Sequence, residues 1–201
     1  QRSADFLLMD YVRRQLALGC EMLDRQQSLS TTFQPRITES LIQQYRQLPQ
    51  QHPLTEAYLD LYRLLSTSRR NEESKQFDQF FRRLRTGHDQ IERSFLRELY
   101  YFAINHCVRK IRANEAGYEE RLLELYTEGV STRLLFENDQ LSPWTFKNIV
   151  KLSVRLQRLK WAEQFIEEYA AFLPDNFRED ARQYNRAELF YHRGKFRQAT
   201  H

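Results

Sequence analysis

Apolar residues recur along this chain at steps of three and four, the spacing that lays one stripe down an α-helix, and they do so in segment after segment. Ser3 to about Leu29 carries Leu8, Val12, Leu16, Cys20 and Leu23 on one face of a long first helix. Gly19 sits in its interior, where Ala would be better by roughly 0.5–1 kcal/mol, so a close neighbour is expected beside it. Ile37, Leu41, Tyr45 and Leu48 mark a second helix that Pro49 closes, and Leu54, Tyr58, Leu61 and Leu65 a third. A fourth starts with Asn71 as N-cap and Glu72 and Glu73 in its first turn, turns Phe77, Phe80, Phe81 and Leu84 inward, and ends at Gly87.

The fifth, Gln90 to Arg112, has two adjacent apolar rows, Phe95, Leu99, Phe102 and His106 beside Leu96, Ala103, Cys107 and Ile111. That stripe is too wide for a surface helix and predicts the most buried element. Gly117 and Tyr118 open a sixth helix with Leu122, Leu125 and Val130, followed by a looser stretch, Phe136 to Leu141. Ser142 and Pro143 start a seventh with Phe146, Ile149, Val150, Ser153 and Leu156 inward, and Trp161 to Leu173 is an eighth. Asn176, with Glu179 three residues on, reads as the capping box of a ninth, along which Phe177, Ala181, Tyr184, Ala187 and Tyr191 form a stripe; a tenth begins at Lys195.

Short turns between about ten helices make neighbours antiparallel, so the expected fold is all-α, an array of helical hairpins stacked side by side. Strands have almost no support, because there is no alternating run of Val, Ile and Thr and no Asn-Gly or Asp-Gly turn. All five prolines fall between the periodic segments.

From Asn185 to Ala199, the set Ala187, Phe190, Tyr191, Gly194, Lys195, Phe196 and Ala199 resembles the tetratricopeptide repeat, whose inter-helix turn favours Gly-x-aromatic-x-x-Ala. The preceding unit shares Phe146, Ile149, Ala162 and Pro174 with the pattern, with Leu159 in place of the turn glycine; Gly117 and Tyr118 are adjacent rather than one apart. The resemblance is clearest over residues 143–201. It implies a right-handed α-solenoid of antiparallel hairpins whose first helices line a concave groove for peptides or proteins, with no chemistry and no cofactor of its own. On this reading residues 1–201 form one helical-repeat domain, with divergent hairpins over 1–87 and repeat-like hairpins over 88–201. The start at Gln1 and the barely begun last helix read as a piece of a longer protein, in which the ninth helix is buried by a continuation and Phe196 lies at an exposed edge.

Charge adds a candidate surface. Lys147, Lys151 and Arg155 are spaced four apart on the seventh helix, and Arg178, Arg182 and Arg186 repeat the spacing on the ninth. Like charges so placed repel by roughly 0.2–0.5 kcal/mol per pair, which calls for a compensating anion. As first helices of adjacent hairpins, the two would put Lys147, Asn148, Lys151, Arg155, Arg182, Asn185 and Arg186 on one groove wall, the amides able to bond a peptide backbone or carboxylate of an acidic protein partner. Local neutralisation by Glu163, Glu167, Glu179 and Asp180, or simple solvation, is the competing reading.

The 31 basic residues comprise 25 arginines and 6 lysines. Clusters at Arg13-Arg14, Arg69-Arg70, Arg82-Arg83-Leu84-Arg85 and Arg109-Lys110-Ile111-Arg112 raise the alternative of a helical scaffold that contacts nucleic acid. They are scattered and interrupted by acids, and no nucleic-acid-binding fingerprint accompanies them, which weighs against it. Cys20 and Cys107 belong to no redox or metal spacing and read as reduced core residues, so a cytoplasmic setting is expected. The five histidines form no HExxH and no ligand pair, and neither a phosphate loop nor a nucleophile elbow is present, so a non-catalytic module without metal is expected. No apolar run approaches the length of about 18 residues that spans a bilayer.

Overall fold

The computed structural model describes residues 2–27, 37–67, 69–181 and 183. They contain eight α-helices: α1 (Arg2–Gln26), α2 (Glu39–Arg46), α3 (Pro53–Ser66), α4 (Arg70–Thr86), α5 (Arg93–Arg112), α6 (Tyr118–Ser131), α7 (Pro143–Arg155) and α8 (Leu159–Tyr169). A 3-10 turn, Ala170–Phe172, continues α8, and residues 175–181 are again helical. Tyr184, Ala187, Phe190, Tyr191, Gly194, Lys195, Phe196 and Ala199, which carry the end of the ninth stripe and the tenth helix, lie outside the described residues.

The chain divides into two compact units, 1–103 and 104–201, with the boundary inside α5. In the first, α1 packs chiefly on α3 and to a lesser extent on α2, and α3 packs on α4. The predicted faces are the buried ones. Val12, Leu16 and Cys20 of α1, Leu54, Tyr58, Leu61 and Leu65 of α3, and Phe77, Phe80, Phe81 and Leu84 of α4 all lie in the core. Each large side chain so placed contributes roughly 1.5–3 kcal/mol relative to exposure. The close neighbour of Gly19 is also present: a Cβ there would lie 3.0 Å from Ile37 Cδ1 and 3.3 Å from Tyr62 Cε2 of α3.

Several polar groups buried between these helices are paired. The Cys20 thiol meets the Tyr58 carbonyl at 3.6 Å, and the Tyr58 hydroxyl donates to Glu98 at 3.0 Å. Asp60 is almost wholly enclosed and accepts hydrogen bonds from Arg83 and, at 2.7 Å, from Gln79, both on α4.

Three local expectations change. Ile42 rather than Leu41 is the buried residue ahead of Tyr45 on α2. The cap of α4 is Arg69, so Asn71 falls inside the helix. Helical backbone resumes at 175, which puts Asn176 within the first turn rather than at its cap.

In the second unit, α6 packs on α7 and α7 on α8, which in turn contacts the 3-10 turn. Three helices end in a left-handed residue that is not glycine; after α6 it is Arg133 (φ 55°). Asn114 (φ 56°) follows α5 with the Glu115 N–H bonded to the Lys110 carbonyl at 3.0 Å, and Gln157 (φ 57°) follows α7 with the Arg158 N–H on the Ser153 carbonyl at 2.8 Å. Both have the six-to-one bond of a Schellman closure, so Gln157 provides the reversal of direction ahead of Leu159.

The looser stretch from Phe136 to Leu141 holds the little strand structure among the described residues. It forms a two-stranded hairpin, β1 (Phe136–Glu137) against β2 (Gln140–Leu141), turned by Asn138 and Asp139 at φ 50° and 58°. Two consecutive left-handed residues make the turn that fits the twist of a tight hairpin, and Asn and Asp tolerate that region best after glycine. Phe136 anchors the hairpin edge-on to Phe172 at 5.4 Å, with the Arg133 guanidinium over both rings.

Candidate functional site

The seventh helix is positioned by its buried face. Phe146, Ile149, Val150, Ser153 and Val154 are enclosed, and Phe146 meets Phe165 of α8 at 5.1 Å between ring centroids. Ser153 satisfies its hydroxyl on the Ile149 carbonyl at 2.6 Å, so this buried polar side chain needs nothing from outside the helix. With that face fixed, the opposite one turns outward. At about 100° per residue, Trp144, Asn148, Lys151 and Arg155 fall on a single line along α7, with Lys147 beside it.

Trp144 is 72% exposed, the largest value among the exposed large apolar side chains. The charge spacing that singles out Lys147, Asn148, Lys151 and Arg155 does not point to it. Its position four residues before Asn148 on a helix begun by Ser142-Pro143 is the signal that would have. Lys151 and Arg155 are exposed, while Lys147 and Asn148 are half-buried.

Electrostatic compensation of the stripe is partial. Arg155 donates to Glu119 of α6 at 2.5 Å, rather than to Glu163, Glu167, Glu179 or Asp180, and Lys151 makes no ion pair among the described residues. The second stripe is anchored at its first member: Arg178 pairs with Asp175 at 2.8 Å and donates to the Leu173 carbonyl at 2.8 Å. Arg182, Asn185 and Arg186 lie outside the described residues, so the proposed wall is built here from α7.

The other basic clusters are largely folded back on the protein. Arg13 and Arg14 share Asp10, whose carboxyl these two hydrogen bonds hold below its usual range. Arg69 pairs with Glu72, Arg83 with Asp60 and Glu56, and Lys110 with Glu115, while Arg85 lies over the Phe81 ring at 4.3 Å.

His106 lies buried at 5.7 Å from the Tyr118 ring; burial, helped by the charges of Arg109, Lys110 and Arg121, pulls its pKa down to about 3. It is therefore a neutral core residue near pH 7. Cys20 and Cys107 are free and buried, and burial raises both thiols. Among the described residues no group of three His, Cys, Asp or Glu is placed to hold a metal ion, and no helix is long and apolar enough to cross a membrane. Compared with known proteins, the chain matches no family model, no curated sequence and no solved structure.

Proposed function

We propose that this chain is a non-catalytic protein-interaction module of the helical-repeat type, which uses the outward face of α7 to bind an acidic peptide segment carrying an apolar anchor. The observation that carries the reading is the exposed Trp144 in line with Asn148, Lys151 and Arg155 on a helix whose other face is locked in the core. A solvated tryptophan on a rigid scaffold is costly to leave uncovered, and tryptophan and arginine are the residues most enriched among interface hot spots. The cations supply the complement to acidic side chains, and Asn148 supplies a donor and an acceptor for a peptide backbone. A cytoplasmic partner is the expectation that goes with two buried, free cysteines.

Display selection of random peptides on the 201-residue chain tests this. Enriched peptides should combine acidic residues with an aromatic or aliphatic anchor, and their binding should fall at least tenfold in both Trp144→Ala and Lys151→Glu. Peptides that bind those variants as well as the parent would refute the assignment. So would a face that retains only RNA or DNA, with a strong salt dependence, because stacking on Trp144 beside cations is also how single strands are held.

A further inference from the structure

The first helix is apolar on two sides. Val12, Leu16 and Cys20 are buried, yet on the far side Leu7, Tyr11 and Leu18 are 68%, 53% and 52% exposed. With Arg14 they step by four, three and four residues, the heptad spacing of a helix seam. We infer that this face is a self-docking surface that pairs antiparallel with α1 of a second copy of the chain.

Charge and register select that occupant. Parallel self-pairing would set Arg14 on Arg14, Glu21 on Glu21 and Arg25 on Arg25, three repulsive layers. Antiparallel pairing about a two-fold axis between positions 12 and 13 sets Leu7 against Leu18 of the second copy and Tyr11 against its Arg14, and each contact occurs twice. Leu7, Tyr11 and Leu18, the exposed apolar residues of this face, are then covered, while Phe6, 63% exposed, lies off the seam. A guanidinium over a tyrosine ring is an attractive layer, and Arg14 is oriented on its own helix, because its Nε donates to Asp10, shared with Arg13, at 2.8 Å. Glu21 then faces Ala4. The seam is short, so the association is a weak, concentration-dependent one rather than an obligate dimer. It is independent of the α7 face.

Sedimentation of the 201-residue chain from about 1 to several hundred micromolar, the range in which a sub-standard interface dissociates, reads this directly. The expected result is a rise towards twice the 24.5 kDa chain mass. Leu7→Lys and Leu18→Glu should each weaken dimerisation at least tenfold, and mixing the two should restore it, because the mixed dimer has one Lys-Glu and one Leu-Leu layer. A chain that stays monomeric throughout, or a dimer indifferent to both substitutions, overturns the inference. A mixture no tighter than its components overturns the antiparallel register. Both positions are exposed, and Tyr11→Ala, which adds no charge, replaces either variant if circular dichroism shows it unfolded.

Discussion

Arg155 of α7 is tied to Glu119 of α6 by a 2.5 Å contact that leaves the guanidinium largely in solvent. The pair therefore masks charge at one end of the proposed binding face more than it holds the helices together. Exposed pairs of this kind contribute about 0–1 kcal/mol. Glu119→Gln is expected to leave the unfolding free energy within about 1 kcal/mol of the parent while tightening an acidic peptide several-fold in calorimetric titration. A loss of peptide affinity in this variant would mean that Glu119 orients Arg155 for binding rather than competing for it.

The pair formed by Asp60 and Arg83 behaves differently, because the Asp60 side chain is only 2% exposed. Arg83→Met strips the main partner from a buried carboxylate that then keeps Gln79 alone, and a destabilisation on the order of 3 kcal/mol is expected in urea unfolding. Adding Asp60→Leu to that variant should recover much of the loss, since two apolar groups replace an orphaned charge. If Arg83→Met costs no more than a surface change, the carboxylate is solvated in solution and the packing of α3 on α4 is looser than described.

His106 gives the protein a pH dependence with a definite sign. Its folded pKa of about 3 lies below the model-peptide value of 6.5, so the unfolded chain takes up a proton that the folded chain refuses. The stability is complete above about pH 6.5 and declines as pH falls towards 3, approaching 1.4 kcal/mol per unit from this residue alone. Urea midpoints between pH 7 and 5, above the range in which most carboxylates titrate, isolate the effect. His106→Phe should flatten the profile in that window; an unchanged slope would place its origin elsewhere.

Much of the helical arrangement is legible in the sequence because it rests on one period. Val12, Leu16 and Cys20, or Phe77, Phe80, Phe81 and Leu84, are buried for the reason that made them visible, their recurrence on one side of a helix. Local chemistry was harder to read. The Asn138-Asp139 hairpin lacks the glycine that usually signals a two-residue turn, and Asn71 competes as a cap with a backbone whose cap, Arg69, comes two residues earlier. The candidate site is half legible. Charge spacing picks out Lys147, Lys151 and Arg155, but Trp144 resembles a core residue until the buried face of α7 is fixed by Phe146, Ile149 and Val150. Nothing in a one-dimensional pattern ties Glu119 to Arg155, since that contact depends on how α6 packs against α7.

The chain has two tryptophans, and only Trp144 lies on the proposed face; Trp161 stacks on Phe165 at 5.4 Å. In a Trp161→Phe background, emission therefore reports on Trp144 alone. Titration with a selected acidic peptide is predicted to move that emission to shorter wavelength and to saturate at the same concentration as calorimetric binding, with the shift lost in Lys151→Glu. Peptide binding with the emission of Trp144 unmoved would contradict the account, because the ligand would then sit somewhere other than the outward face of α7.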